Sequence, residues 1–180
     1  MFQLLKKSLL NGVVTKKKFA QEAAVPKDIE LLRGELSQKI KRLIGRSLHI
    51  REVDPGSSNA EEVEVNMLAN PYYDMERYGI HVAASPRHAD MLLVSGPVSR
   101  NMEEALKRAY NAMPTPKIVV AFGDNAKDGG IFKGSYGIVG GVDAVLPVDI
   151  WIPGNPPTPS DLLAGLLAAV DRLAAKTTSV

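Results

Sequence analysis

The sequence contains no cysteine, and this absence excludes several kinds of chemistry together. Without thiols the chain cannot form disulfides, hold a metal ion through thiolates or use a cysteine nucleophile. Long hydrophobic runs are also missing, since no stretch approaches the roughly 20 apolar residues that cross a bilayer. The first residues lack the apolar run and cleavage site of a secretory signal. We therefore expect a protein that stays in the cytoplasm.

The residues that are present provide one hydrophobic core of ordinary size. The chain has 180 residues, of which 45% are hydrophobic and 23% are charged, so one domain is expected. Its formal net charge of +2 is unevenly distributed, with a basic first part and an acidic second part. Residues 1–51 hold 12 Lys and Arg against four Asp and Glu, whereas residues 52–180 hold 10 against 16.

Residues 1–27 are predicted to form a basic amphipathic arm and connector, ahead of a domain over residues 28–180. The arm combines Lys6 and Lys7 with apolar side chains, namely Phe2, Leu4, Leu5, Leu9 and Leu10. Helices that lie on membrane surfaces have this composition. We expect contact with anionic lipid or an acidic partner subunit, and the alternative is a solvated tail. Without interleaved aromatic residues, nucleic acid is not an expected partner.

The domain alternates short apolar runs with helical patterns. The spacing predicts a first helix over 28–46 with Asp28 as its N-cap, and a closing helix over 161–175 capped by Ser160. The segments between them are 48–53, 61–69, 80–83, 91–94, 102–113, 118–122 and an apolar stretch around 145–152. This alternation indicates a parallel sheet with helices on its faces. The wholly apolar runs 91–94 and 118–122 should be neighbouring central strands.

Three loops that follow predicted strands are rich in glycine, proline and small polar residues. They span residues 54–60, 123–130 and 153–157. In open parallel sheets, ligands bind outside the carboxyl ends of the strands, where the connecting loops converge. The sequence therefore predicts a site where these three loops meet.

The same loops carry the motifs of a known family. Segment 54–64 resembles the Cys-Asn-Gly-Cys segment of the small subunits of membrane-bound nickel–iron hydrogenases. Segment 85–98, which begins Ser-Pro-Arg-His-Ala-Asp, resembles a strand shared by those subunits and by the homologous cluster-carrying subunit of NADH:quinone oxidoreductase (complex I). Segments 122–132 and 153–157 resemble the loops that hold the third and fourth cysteines of that family. The resemblance runs from about residue 39 to residue 173.

This resemblance assigns the four cluster cysteines of the family to positions that carry other residues here, namely Ser58, Glu61, Asn125 and Asn155. The spacing of the first two matches energy-converting hydrogenases, because in NADH:quinone oxidoreductase those cysteines are adjacent. A 4Fe–4S cluster is held by four thiolates, so we predict that the cluster is absent and that no other cofactor replaces it. The four side chains should lie together and hydrogen-bond to loop amides or water.

Two interpretations of neighbouring residues stay open. Glu61 with Asp124 could hold a hard divalent cation through oxygen ligands. The resemblance also implies that Arg87, His88 and Asp90 lie near the site or at the interface with a large subunit. There they and Asp124 could tune the site or form part of the interface. A structural role is the alternative for these three, with Asp90 capping a loop and Arg87 pairing with an acidic neighbour.

The resemblance implies a flavodoxin-like three-layer α/β/α domain with a mostly parallel sheet. It also implies a structural and coupling subunit, not redox-active by itself, at the cytoplasmic face of the membrane. Its partners would be a hydrogenase-large-subunit-like protein, similar to the corresponding large subunit of complex I, and membrane-arm subunits. Two alternatives remain: an active electron-transfer subunit of a quinone- or proton-reducing complex, and a free flavodoxin-like module that binds flavin.

Overall fold

The computed structural model describes residues 29–178, so the predicted arm and the Asp28 cap lie outside the described residues. The helices are α1 Ile29–Leu43, α2 Ala60–Met67, α3 Arg100–Ala112, α4 Asp124–Asp128 and α5 Pro159–Thr178. The strands are β1 Leu48–Val53, β2 Ile80–Val82, β3 Met91–Ser95, β4 Val98–Ser99, β5 Ile118–Phe122, β6 Ile138–Gly140 and β7 Ile150–Ile152. Among these described helices, none has both the length and the apolar character needed to span a bilayer.

Five strands form one parallel sheet in the order β2-β1-β3-β5-β7. Counted within the sheet alone, this order is 2-1-3-4-5, which is the flavodoxin-like arrangement. The two wholly apolar strands β3 and β5 are hydrogen-bonded neighbours, as predicted. Strands β4 and β6 form a separate antiparallel pair. The predicted α/β class and parallel sheet are thus confirmed.

Apolar side chains pack on both faces of the sheet and complete the three layers. On one face, Ile50 and Leu93 lie in a cluster with residues of α1, α2 and α5, such as Val65. On the other face, Leu92 and Val119 lie in a cluster with Leu106 of α3 and Ala126 of α4. The central strand β3 is buried along its whole length, because helices cover it on both sides.

The helix ends differ from the predictions for local physical reasons. The closing helix is capped by Thr158 and not by Ser160. The Thr158 hydroxyl accepts the Asp161 N–H at 3.2 Å, and Asp161 Oδ2 accepts the Thr158 N–H at 2.9 Å. This is a reciprocal capping box, with Pro159 at the first helical position. The first helix ends at Leu43, because Gly45 takes the left-handed conformation that ends helices.

Candidate functional site

The three predicted loops meet at the carboxyl ends of the strands, and Asp124 joins two of them. Its N–H donates to the Gly154 carbonyl at 2.7 Å. Its Oδ1 accepts the Gly154 N–H at 2.9 Å. Asp124 itself is exposed, so its carboxylate fixes the loop after β7 against the loop after β5. The predicted convergence of loops is confirmed.

Three of the four positions assigned to cluster cysteines lie together. Asn125 is buried, and its Nδ2 donates to Glu61 Oε1 at 2.9 Å. The same amide nitrogen lies 3.5 Å from Asn155 Oδ1, at the long limit of a hydrogen bond. Glu61, on the first turn of α2, is fully buried. The polar side chains at these positions therefore bind one another across the meeting point of the loops.

Ser58 lies apart from this group. It is exposed, and it makes no hydrogen bond with the other three positions within residues 29–178. The preceding Ser57 turns inward instead, because its Oγ donates to Glu62 Oε2 at 2.5 Å and accepts the Asn59 N–H at 2.9 Å. Asn59 has a φ of 69°, so the chain turns sharply just before α2 and leaves Ser58 outside.

The residues present do not fit a 4Fe–4S cluster. Such a cube lies between its four ligands, each of which is a thiolate bonded to iron. Here the Asn125 amide contacts the Glu61 carboxylate directly. Asn125 Oδ1 also fills the space where a side chain at Gly130 would begin. One carboxylate and two neutral amides supply neither the ligand charge nor the central space that the cube requires.

A divalent cation held by Glu61 and Asp124 has no support in the described part of the chain. Between residues 29 and 178, no group of three or more His, Cys, Asp or Glu side chains is arranged to hold a metal ion. Asp124 Oδ1 is bound to the Gly154 N–H, and Glu61 Oε1 is bound to Asn125.

Further carboxylates lie beside the site, and they were missed in the sequence. Burial raises the pKa of Glu52 to about 7, and the negative charges of Glu62 and Asp54 add to the shift while Arg51 opposes it. Glu62 is buried and accepts the Ser57 hydroxyl. The alternation of side chains along β1 could have predicted that Glu52 points inward. Leu48 and Ile50 both point to the core, and Glu52 is the next residue on the same face.

Comparison with known proteins identifies the family. Residues 59–169 match the family described as NADH ubiquinone oxidoreductase, 20 Kd subunit. The chain belongs to this family. The matched residues include α2, the whole of β3 and β5, the second and third loops, and only the last two residues of the first loop. The predicted family resemblance is confirmed.

Relatives of the 20 Kd subunit family are named as parts of hydrogenases and oxidoreductases. Formate hydrogenlyase subunit 7 of Escherichia coli is 41% identical over 84% of this chain and 58% of its own length. The probable membrane-bound hydrogenase subunit mbhJ of Pyrococcus furiosus is 40% identical over 79% of this chain and 87% of its own. A subunit of the NADH-quinone oxidoreductase of Bacteroides thetaiotaomicron is 49% identical over 58% and 54%. The chain thus spans between half and nine tenths of these relatives.

A solved structure shares the fold. A chain of the membrane-bound sulfane sulfur reductase, described as an archaeal respiratory membrane complex, superposes with a TM-score of 0.65. The match has 28% sequence identity and covers 78% of this chain and 77% of that one.

In this member of the 20 Kd subunit family, Arg87, His88 and Asp90 lie at the amino ends of the parallel strands. The loop site lies at the carboxyl ends. Asp90 comes just before β3, and the loop site lies beyond the far end of the parallel strands. The five residues of β3 span about 17 Å at the usual rise of about 3.3 Å per residue. The three residues therefore do not contact the loop site directly. Their predicted role at a subunit interface stays a prediction.

Asp90 instead holds the amino ends of two strands together. Its Oδ2 accepts Arg46 NH1 at 2.9 Å and the His49 N–H at 3.0 Å, and its Oδ1 accepts Arg46 NH2 at 2.5 Å. Arg87 and His88 are exposed, and they border a shallow pocket together with Arg46 and His49. The structural interpretation of Asp90 fits these contacts.

Replacing Asp90 by asparagine should destabilise the fold. Asp90→Asn removes the charge that Arg46 binds and places an amide donor among existing donors. The side chain is only 10% exposed, so we expect a loss of about 1–3 kcal/mol in the free energy of unfolding, measured by urea denaturation. The matched control is Glu104→Gln, which breaks the exposed pair with Arg108 and should cost under about 1 kcal/mol. Equal effects of the two changes would contradict the proposed importance of Asp90.

Proposed function

We propose that this chain is a structural and coupling subunit of a membrane-bound complex related to energy-converting hydrogenases and NADH:quinone oxidoreductase. In this proposal it has lost the 4Fe–4S cluster of the family. The observation that carries the proposal is the 2.9 Å contact between Asn125 and Glu61. Both positions are assigned to cluster cysteines by the family resemblance.

The relatives support the type of assembly. One is named as a subunit of formate hydrogenlyase, another as a probable subunit of a membrane-bound hydrogenase, and a similar structure belongs to a respiratory membrane complex. The proposed partners are therefore a hydrogenase-large-subunit-like protein and membrane-arm subunits. In this arrangement the chain is peripheral on the cytoplasmic face, and its basic amino-terminal arm contacts anionic lipid or an acidic partner.

The contacts at the loop site explain how the fold persists without a cluster. A buried polar group without a partner costs about 1–3 kcal/mol. Asn125 satisfies one oxygen of Glu61 and lies beside Asn155, and Asp124 closes the loops over them. Polar side chains thus fill the loop junction and maintain its shape. Electron transfer through this position has no carrier, so the chain contributes structure and coupling.

The alternative of a free flavin-binding module is disfavoured by the packing between β1 and β3. In flavodoxin-like sheets the cofactor binds at the switch point beyond these strands. At that point the backbone at Gly96 packs directly against Ser57. The two loops that would have to separate around a flavin ring are therefore in contact.

The test is purification of the assembly through an affinity tag on this chain in its native membranes. We expect co-purification with a hydrogenase-large-subunit-like protein and with membrane proteins. A chain recovered alone with bound flavin would support the module and overturn the proposal.

The Glu61→Gln variant tests whether any iron found in the complex is bound by this chain. Glu61→Gln keeps the shape of the side chain and removes its charge, so the iron content and the paramagnetic signals of the complex should not change. The control is Glu104→Gln on the exposed surface of α3. Loss of about four irons per complex in Glu61→Gln alone would show that this chain binds a cluster.

A further inference from the structure

Two glutamates beside the loop site, Glu52 on β1 and Glu62 on α2, lie close enough for their charges to interact. Glu52 lies on the face of β1 that carries Leu48 and Ile50, and these pack in one cluster with Val65 of α2. Glu62 is on the buried side of α2, one turn before Val65, and is only 9% exposed. The strand and the helix thus direct two carboxylates into the same space at the carboxyl end of the sheet.

No cation of the described residues forms an ion pair with either carboxylate. Within residues 29–178, Glu52 Oε1 and Glu62 Oε1 are buried and have no hydrogen-bond partner. Arg51 follows the strand to the other side, where its guanidinium donates to the Ala84 carbonyl at 2.8 Å. A buried carboxylate without a partner is unfavourable in its charged form, and two close together are more so.

We propose that Glu52 and Glu62 form a proton-binding site, in which the pair holds one proton between them. The equilibrium is simple, because a proton from water binds a carboxylate oxygen and is released to water again, with no other reactant. This site needs none of the partner proteins proposed above. It gives the chain a chemistry of its own in addition to the structural role proposed above.

The Ser57 hydroxyl indicates which member of the pair carries the proton. It donates to Glu62 Oε2 at 2.5 Å, and a donated hydrogen bond favours the charged form of a carboxylate. One oxygen of Glu62 is thus occupied by a donor, and Glu52 is the member of the pair that is left to hold the proton. Burial raises the pKa of Glu52 to about 7, and Glu62 is the charge that adds most to this shift.

Apart from Arg51, the groups around the pair are acidic or neutral. Asp54, in the loop after β1, adds negative charge, and Arg51 opposes it weakly. On α2, Glu61 is fully buried and its Oε2 has no partner among the described residues. On β3, Ser95 is 0% exposed, and its hydroxyl also has no partner in that part of the chain.

The position of Ser95 is an independent sign that the space can hold a proton. Leu93 pairs in register with Glu52, and Ser95 is two residues further along the same face of β3. A hydroxyl can donate and accept at once, so Ser95 can hydrogen-bond to a carboxylic acid or to a carboxylate. A metal ion is the competing occupant, and no metal-binding group of three was found within residues 29–178.

The experiment is a pH titration of the full-length chain with carbon-13 labelled glutamate, followed by NMR of the side-chain carboxyl carbons. One glutamate, absent from the spectrum of Glu52→Gln, should titrate near pH 7 and not near the ordinary value of about 4.5. In Glu62→Gln this midpoint should move down, because the charge of Glu62 no longer adds to the effect of burial. A purely structural role for Glu62 would not move it.

Thermal unfolding gives a second measurement. Between about 4.5 and about 7 the folded chain keeps a proton that the unfolded chain releases, so stability falls as the pH rises through this range. Glu52→Gln resembles the protonated acid, and its midpoint temperature should fall less between about pH 5 and about pH 8 than that of the natural chain. Glu104→Gln, on the exposed surface, should follow the natural chain.

Two results would overturn the proposal. One is a Glu52 midpoint at the ordinary glutamate value in the natural chain. The other is calorimetric binding of Mg²⁺, Mn²⁺ or Ca²⁺ to the natural chain that Glu52→Gln abolishes, since the pair would then serve a metal ion. The NMR titration of the natural chain decides the matter even if a variant fails to fold.

Discussion

Restoring four cysteines should convert a chain that binds no cluster into one that does. In a variant with Ser58→Cys, Glu61→Cys, Asn125→Cys and Asn155→Cys, we expect about four irons and four sulfides per chain after anaerobic reconstitution. The natural chain under the same conditions should retain none. We expect this difference in iron uptake because thiolates bind iron strongly, whereas amides do not. Iron and sulfide assays with the visible absorbance of the protein measure the difference.

A matched variant separates ligand chemistry from side-chain size. Serine at all four positions has nearly the volume of cysteine, and that chain should bind no more iron than the natural one. If the four-cysteine chain folds and still takes up no iron, the assigned positions are wrong. If the natural chain takes up four irons equally well, oxygen and amide ligands suffice and the proposed loss of the cluster is refuted.

Changing Gly96 to alanine should cause a large loss of stability. Gly96 has a φ of +64°, and a Cβ there would lie 2.5 Å from Ser57 Cα and 2.9 Å from Ser57 N. The obstructing atoms belong to the backbone and cannot rotate away, so the loop after β1 must move. We expect Gly96→Ala to lower the free energy of unfolding by about 2–4 kcal/mol. Urea denaturation of the full chain measures this value.

The control is the same change in an open position. Gly34 lies within α1, and nothing is within 4 Å of a Cβ placed there. Gly34→Ala should stabilise the chain by about 0.5–1 kcal/mol, because alanine favours helix. Similar effects at the two positions would mean that Gly96 is not packed against Ser57 as described.

The arrangement of the sheet could be predicted from the sequence because it depends on strong and local patterns. Two apolar runs without polar interruption predict central strands, and β3 and β5 are indeed adjacent. The convergence of the loops followed from the parallel sheet alone. The sequence predicts Ser160 as the cap of the last helix, since serine often caps helices. Thr158 is the cap instead, because it exchanges two hydrogen bonds with Asp161 and because Pro159 fits the first turn of the helix.

The site was predicted less completely, because side-chain direction depends on turns that composition does not reveal. Asn125, Glu61 and Asn155 meet, but Ser58 is exposed, since the left-handed Asn59 turns Ser57 inward in its place. Family resemblance suggested that Arg87, His88 and Asp90 lie near the loops. Their position before β3 puts them at the amino ends of the parallel strands, where Asp90 binds Arg46.

The two glutamates beside the loop site show another limit of prediction from sequence motifs. Glu52 and Glu62 belong to no ligand pattern, so no motif in the sequence marks them. Their common feature is burial without a cation, which requires the packing of α2 on the sheet. Strand alternation alone would have placed Glu52 inward, but its partner Glu62 could not be found without the structure.

A high-resolution electron cryomicroscopy map of the anaerobically purified complex is the most direct test that the cluster has been lost. The map should show the Asn125 side chain in contact with Glu61, and only protein density where the loops after β1, β5 and β7 meet. A compact density of four irons beside Glu61 and Asn155 would contradict the proposed loss of the cluster.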